Sequence, residues 1–283
     1  MPSAGSDGVL HGGTANRGRV FRVGTTVHRP RGAHSDAVHL LLRHLEASGF
    51  TGAPRVIGTY GEVEVLGYIH GAAAYQPAGA AALPGRGAPT VGRAVTDTVP
   101  DWALTDDALR SVALLLRDYH RHASTFVTRQ RLAWQRPVPA PWRGPLVTHN
   151  DPNPANVIFR DGKAVALIDF DLAAPGSVAW ELAVAACFWA PLWDERDIED
   201  SRQGRALSRF RLLLDTYGAD AALRRDVVRA TVAANGWISA IIEDASRDGH
   251  VAFSELWSSW ADRYARAHEW LRAHRADLIS ASQ

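Results

Sequence analysis

One stretch constrains this chain more than any other: HNDPNPANVIFRDGKAVALIDFD, running from His149 to Asp171. Two short apolar runs, VIF and AVALI, flank RDGK, and its Asp161-Gly162 pair is a strong signal for a tight β-hairpin. Such a turn brings the start of the first strand beside the end of the second. Asn156 and Asp169 flank the apolar strands symmetrically, so their side chains should emerge at the same end. An amide oxygen and a carboxylate held there suit a hard cation such as Mg²⁺, which prefers oxygen ligands and shares them with nucleotide phosphates. Asp151, on the same loop, would face that cation, where a carboxylate that orients an incoming hydroxyl should sit.

Around this stretch the chain divides into two parts of different character, an α+β arrangement. Residues 1–66 read as a small β-rich lobe with one helix. The runs RVFRV (19–23) and TTVHR (25–29) flank Gly24 as a hairpin, and PRVIGTY and EVEVLGYI flank Gly61. Between them Ser35 reads as the N-cap of a helix, with Val38, Leu41, Leu42 and Leu45 on one face and Gly49 ending it. Residues 67–72 form a hinge, and 73–283 a larger, mainly helical lobe carrying the hairpin and a substrate site. That lobe begins with an Ala-, Gly- and Pro-rich segment without periodicity. Thr105 then caps a helix whose buried face is Leu109, Val112, Ala113, Leu116 and Tyr119. Further helical patterns cover about 178–190, 202–217, 222–245 and 254–275.

Composition removes several classes of function. With 31 basic and 30 acidic residues in 283, the net charge of +1 does not fit a nucleic-acid binder that works by neutralising phosphates. The longest apolar runs reach about a dozen residues, short of a membrane span. The N-terminus lacks the basic flank and apolar core of a signal peptide, and the single cysteine, Cys187, excludes an intrachain disulfide. The expectation is a cytoplasmic protein without nucleic-acid or membrane partners; its oligomeric state is not legible.

The pattern D-x-x-x-x-N followed by I-D-F resembles the catalytic loop and metal-binding aspartate of protein-kinase-like enzymes. With H-x-D in front and IDFDLAAPG behind, it is similar to the aminoglycoside phosphotransferase and choline kinase family. The resemblance spans nearly the whole chain and implies a two-lobed protein-kinase-like fold. It further implies an enzyme that moves the γ-phosphate of ATP or GTP to a small-molecule hydroxyl, on an aminoglycoside-type antibiotic, amino alcohol or sugar. Residue by residue, it makes Asp151 the catalytic carboxylate, with His149 supporting its loop, and Asn156 and Asp169 the Mg²⁺ ligands. Gly12 and Gly13 match the loop that covers the nucleotide phosphates.

Two positions depart from the family pattern. The phosphate-binding lysine is missing, because the only lysine, Lys163, lies at the hairpin turn; Arg29 occupies the matching place. The acid that would pair with it on the helix should fall near Val38-His39, where there is none, and the nearest acids are Asp36 and Glu46. Glu181 stands where the family has aspartate and is expected to brace the catalytic loop. These departures motivate a second reading, a catalytically impaired nucleotide- or ligand-binding pseudokinase. The acidic run WDERDIED (193–200) reads either as a solvated loop or as a contact for a cationic acceptor, and Trp180, Trp189 and Trp193 either as core residues or as faces for a sugar or quaternary ammonium.

Overall fold

The alternating runs of the first third form a five-stranded antiparallel sheet in the order β1-β2-β3-β5-β4. Its strands are β1 (Gly8–Val9), β2 (Phe21–Val23), β3 (Thr26–Pro30), β4 (Val56–Tyr60) and β5 (Val63–Gly67). A computed structural model describes residues 8–10, 19–75 and 99–283 of the protein. Gly24 and Gly61 take positive φ at the two tight turns, as the sequence predicts. β3 pairs with β5 rather than with the next strand in sequence, which sets Arg29 directly opposite Glu64.

Helix α1 (Ser35–Ala47) packs Val38, Leu41, Leu42 and Leu45 into the core, and Gly49, at φ 88°, ends it. The expected cap moves by one residue: His34 holds the N-cap position, and the Ser35 hydroxyl accepts a hydrogen bond from the Gly32 N–H instead. The His34 side chain lies against the residues that follow the β8–β9 hairpin, 3.4 Å from Asp171.

The chain leaves the first sheet at Gly67 and enters another at β6 (Ala72–Ala73), which pairs with β8 (Val157–Arg160); β8 pairs in turn with β9 (Lys163–Leu167). Asp161 and Gly162 turn the β8–β9 hairpin with φ of 50° and 73°. A third, two-stranded sheet joins β7 (Leu146–Thr148) to β10 (Ala174–Gly176) and clamps the two ends of the catalytic stretch together. The first helix of the larger part, α2 (Asp106–Ala123), starts at Thr105, whose hydroxyl accepts from Ala108 N at 3.2 Å. Its five predicted core residues are all fully buried, since they fall on one face at helical spacing. Next come α3 (Val178–Trp189), α4 (Ala206–Tyr217), α5 (Ala221–Arg247), α6 (Val251–Ala273) and α7 (Arg275–Ala281). No helix among the described residues is long and apolar enough to cross a membrane. The molecule thus has a small antiparallel β lobe with one helix and a larger helical lobe, a kinase-like architecture.

Gly71 shows how closely the crossing between sheets is fitted. Its φ is 147°, and a Cβ there would lie 2.4 Å from Ile158 Cγ2 and 2.5 Å from the Phe159 carbonyl oxygen. Gly71→Ala should therefore push on the catalytic hairpin and cost about 2–5 kcal/mol. Gly24→Ala, at a positive φ with open space around it, should cost only about 1–2 kcal/mol. Denaturant titration of both variants checks the difference.

Candidate active site

The β8–β9 hairpin delivers the polar residues that flank it to one end. Ile168 N donates to Asn156 O at 2.9 Å, extending the ladder so that Asn156 and Asp169 leave it side by side. Asp169 then takes a left-handed conformation (φ 61°, ψ 67°), uncommon for a residue with a side chain, which turns the chain sharply into Phe170–Leu172. Before β8, Asn153 caps a short 3-10 turn by accepting from Ala155 N, folding Asp151 back toward Asn156. Asp151 Oδ1 accepts from Asn153 Nδ2 at 2.8 Å, and Oδ2 accepts from Asn156 Nδ2 at 2.8 Å. Burial pushes the Asp151 carboxyl up to about 8; the charge of Asp169 adds to the shift, and the two amide hydrogen bonds oppose it.

The smaller lobe supplies the counter-charge. From β3, Arg29 donates through Nε to Glu64 (2.7 Å), through Nη1 to Asp169 (3.0 Å) and through Nη2 to Asp171 (2.6 Å). Burial alone would lower the Arg29 pKa, but the three carboxylates more than reverse this and keep the guanidinium charged. His34 Nε2 stands 3.4 Å from Asp171 Oδ1. Against burial, which would raise it, His34 and Arg29 hold Asp171 below the usual carboxylate range. Burial and repulsion from Asp171 push Asp169 the other way, opposed by Arg29.

Other expected residues prove to be scaffolding. His149 is fully buried: Nδ1 accepts from the Asp151 N–H at 3.2 Å, and Nε2 bonds the Ile168 carbonyl at 2.9 Å. Burial lowers its pKa, which favours the neutral ring these bonds require. It positions Asp151 and does not itself face an acceptor. Glu181, in the first turn of α3, is also fully buried; it accepts from His149 N at 2.5 Å and Asn150 N at 2.9 Å, so the longer acid does brace the loop. Trp180 and Trp189 are core residues that donate to Asn150 Oδ1 and to the Pro152 carbonyl. Trp193 is half-buried against Trp260, with the Arg263 guanidinium 5.1 Å from its ring.

The acidic run is not an open polyanion. Asp194 pairs with Arg196, Asp200 with Arg202 and the buried Asp197 with Arg266, while Glu195 accepts from Gly204 N. Three of the five acids are thus paired with arginines, which lowers the charge the run presents. Gly12 and Gly13 lie outside the described residues.

Sequence reasoning missed Glu64, His39, His34 and Asn150. Asn150 takes φ 65° and spends its side chain on Thr148, Trp180 and Leu172. An Asn in a turn was a visible signal, since Asn tolerates that conformation. Glu64 gave no local signal, because its partnership with Arg29 depends on pairing between strands separated by a helix and a further strand.

The donor set can be tested against a metal ion. Asn156 donates from Nδ2 to Asp151, which makes its Oδ1 the available acceptor beside the Asp169 carboxylate. Among the described residues no group of three or more His, Cys, Asp or Glu side chains could hold a metal by itself. An all-oxygen pair fits a hard cation that fills its remaining positions from phosphate and water.

The two lobes meet at the hairpin end that gathers Asp151, Asn156 and Asp169, in a kinase-like fold. The chain belongs to the phosphotransferase enzyme family, whose family model matches residues 8–223. It is 28% identical to the trifolitoxin immunity protein of Rhizobium leguminosarum bv. trifolii, over 94% of this chain and 95% of that one. Its fold is similar to that of a choline/ethanolamine kinase family protein from Mesorhizobium loti (TM-score 0.60, 16% identity, 97% and 92% of the two chains). It also resembles the GDP complex of aminoglycoside 2'-phosphotransferase-IIIa (TM-score 0.51, 14% identity, 98% and 94%).

Glu181→Ala would leave the His149 and Asn150 N–H groups buried without partners. Stability should fall by about 2–6 kcal/mol for the two groups together. Thermal melting of the variant beside Glu181→Gln, which keeps one acceptor, is the check.

Proposed function

We propose that this protein transfers the γ-phosphate of ATP or GTP to a hydroxyl of a small molecule. The observation that carries the proposal is the convergence of Asp151, Asn156 and Asp169 at one hairpin end, beneath a strand-borne cation, Arg29. In this reading Asn156 and Asp169 would hold Mg²⁺, which would supply positive charge to the transferring phosphoryl group. Arg29 contributes a second, bidentate positive group toward the phosphates. Asp151 accepts a hydrogen bond from the acceptor hydroxyl and aligns its oxygen with the γ-phosphorus. As the new O–P bond forms and the bond to the β-phosphate oxygen breaks, the hydroxyl proton passes to Asp151. Burial raises the affinity of the ionised Asp151 carboxylate for that proton. The nucleoside diphosphate leaves with the bridging oxygen.

Family membership supports a small-molecule acceptor, and so does the likeness to a choline/ethanolamine kinase family protein and an aminoglycoside phosphotransferase. Pairing of Asp194, Asp197 and Asp200 with arginines reduces the charge the acidic run could offer a polycationic aminoglycoside. Similarity over nearly its full length to an immunity protein favours a toxic metabolite carrying a free hydroxyl, inactivated by the added phosphate. One observation favours the second reading, a nucleotide-binding protein without turnover. Every nitrogen of the Arg29 guanidinium already contacts a carboxylate, two of them in the catalytic cluster.

Incubation with Mg·ATP or Mg·GTP and a panel of antibiotics, amino alcohols, sugars and nucleosides, read by mass spectrometry, separates the two. A phosphorylated product is expected. Asp151→Ala should lower its rate on the order of 10²–10⁴-fold while leaving Mg·nucleotide binding largely intact. Asp169→Ala should weaken binding of the same nucleotides by calorimetry. Normal turnover in Asp151→Ala would overturn the assignment, and nucleotide binding without product across the panel would favour the non-catalytic reading.

A further inference from the structure

The partner of Arg29 is not on helix α1, where kinase-like enzymes carry it, but on the neighbouring strand. Arg29 and Glu64 are paired across β3 and β5, and both are buried, at 8% and 1% exposure. Glu64 uses its two oxygens in two directions: Oε1 accepts from Arg29 Nε, and Oε2 is bonded to His39 Nε2. His39 is the residue α1 presents at the position where an acid was expected, and it too is buried.

We propose that Glu64 and His39 act as one positioning unit for the donor-binding cation: Glu64 fixes the Arg29 guanidinium through Nε, and His39 ties that carboxylate to helix α1. The inference rests on the phosphotransferase reading and adds residues to its donor side.

The chemistry of the two cations explains why the acid and the cation change together. A lysine ends in one nitrogen, so its partner acid and its phosphate ligand compete for the same point charge. A guanidinium is a rigid planar fork with distinct nitrogens. Held at Nε by Glu64, it leaves Nη1 and Nη2 directed at the Asp169–Asp171 side, where the donor's phosphates would lie. An acid on the strand directly opposite can meet Nε, the nitrogen nearest the backbone. A histidine on the helix then satisfies the second oxygen of Glu64 without adding a further negative charge to a cluster that already holds Asp169 and Asp171. An arginine present through compositional drift alone would need no rearranged partner, whereas here the acid and the helix residue are both rearranged around it.

The test is a set of variants assayed for nucleotide and acceptor dependence, with Mg·ADP affinity measured by calorimetry and folding checked by melting without nucleotide. Glu64→Gln should raise the nucleotide KM and the Mg·ADP Kd roughly tenfold or more, the range for losing a charged hydrogen bond, and leave the acceptor KM unchanged. His39→Ala, which leaves the Arg29–Glu64 pair in place, should shift both in the same direction by a smaller factor. The double variant His39→Glu, Glu64→Gln returns an acid to the helix and should recover much of the nucleotide affinity lost in Glu64→Gln. Folded Glu64→Gln or His39→Ala with wild-type nucleotide KM and Mg·ADP affinity would overturn the inference. If the wild type itself bound no nucleotide, the phosphotransferase reading would fail and this inference with it.

Discussion

The meeting of the two lobes depends on how a buried positive charge is satisfied. Arg29 leaves water on the inner side of the small sheet, and a desolvated guanidinium persists there only if carboxylates surround it. One of them, Glu64, comes from its own sheet; the other two, Asp169 and Asp171, come from the far side of the cleft. The same three contacts therefore satisfy the arginine, restrain two carboxylates that would otherwise repel each other, and join the lobes. Removing any one carboxylate would leave one nitrogen of the buried guanidinium without its partner. The charge cluster and the lobe arrangement are thus a single problem with a single solution.

A second buried carboxylate performs the corresponding task for the backbone. The His149–Asp151 loop must hold its N–H groups away from water while exposing one side chain. Glu181 takes two of those N–H groups, and the indole N–H groups of Trp180 and Trp189 take Asn150 Oδ1 and the Pro152 carbonyl. Trp180 and Trp189 are rigid core struts whose polar edges meet the loop. Sharp local conformations at Asn150 and Asp169 are sustained because the surrounding bonds leave no alternative. The short strands β7 and β10, paired through Thr148 and Ala174, close the frame behind them.

How much was legible in the sequence followed the range of the interaction. The hairpin was readable because Asp161-Gly162 is a local turn signal, and the side-by-side exit of Asn156 and Asp169 follows from symmetry about that turn. The α2 face and its Thr105 cap were readable for the same reason, being periodic and adjacent. The architecture came from the resemblance together with the change from strand to helix periodicity, and the family match and the similar folds agree with it. Glu64 was not readable, since its role exists only once β3 lies against β5. His39 gave no local signal because the family pattern has an acid at its place, and the contact of the N-cap residue His34 with Asp171 joins parts of the chain far apart in sequence. The internal neutralisation of the acidic run was hidden for a related reason: Asp197 finds its arginine on α6, far along the chain.

The near-absence of lysine has a consequence for how such a protein responds to chemical reagents. Lys163, the only one, is exposed at the turn of the β8–β9 hairpin, and about six strand residues put it roughly 20 Å from Asp169. Acylating nucleotide analogues that report occupied donor sites do so by capturing a nearby primary amine. A guanidinium that stays protonated is a poor nucleophile, so Arg29 offers such a reagent no amine to capture. Labelling at Lys163 would then report an encounter with the hairpin tip rather than a nucleotide in place. A survey that relies on amine capture would find no lysine to label beside Arg29, whatever occupied the cleft.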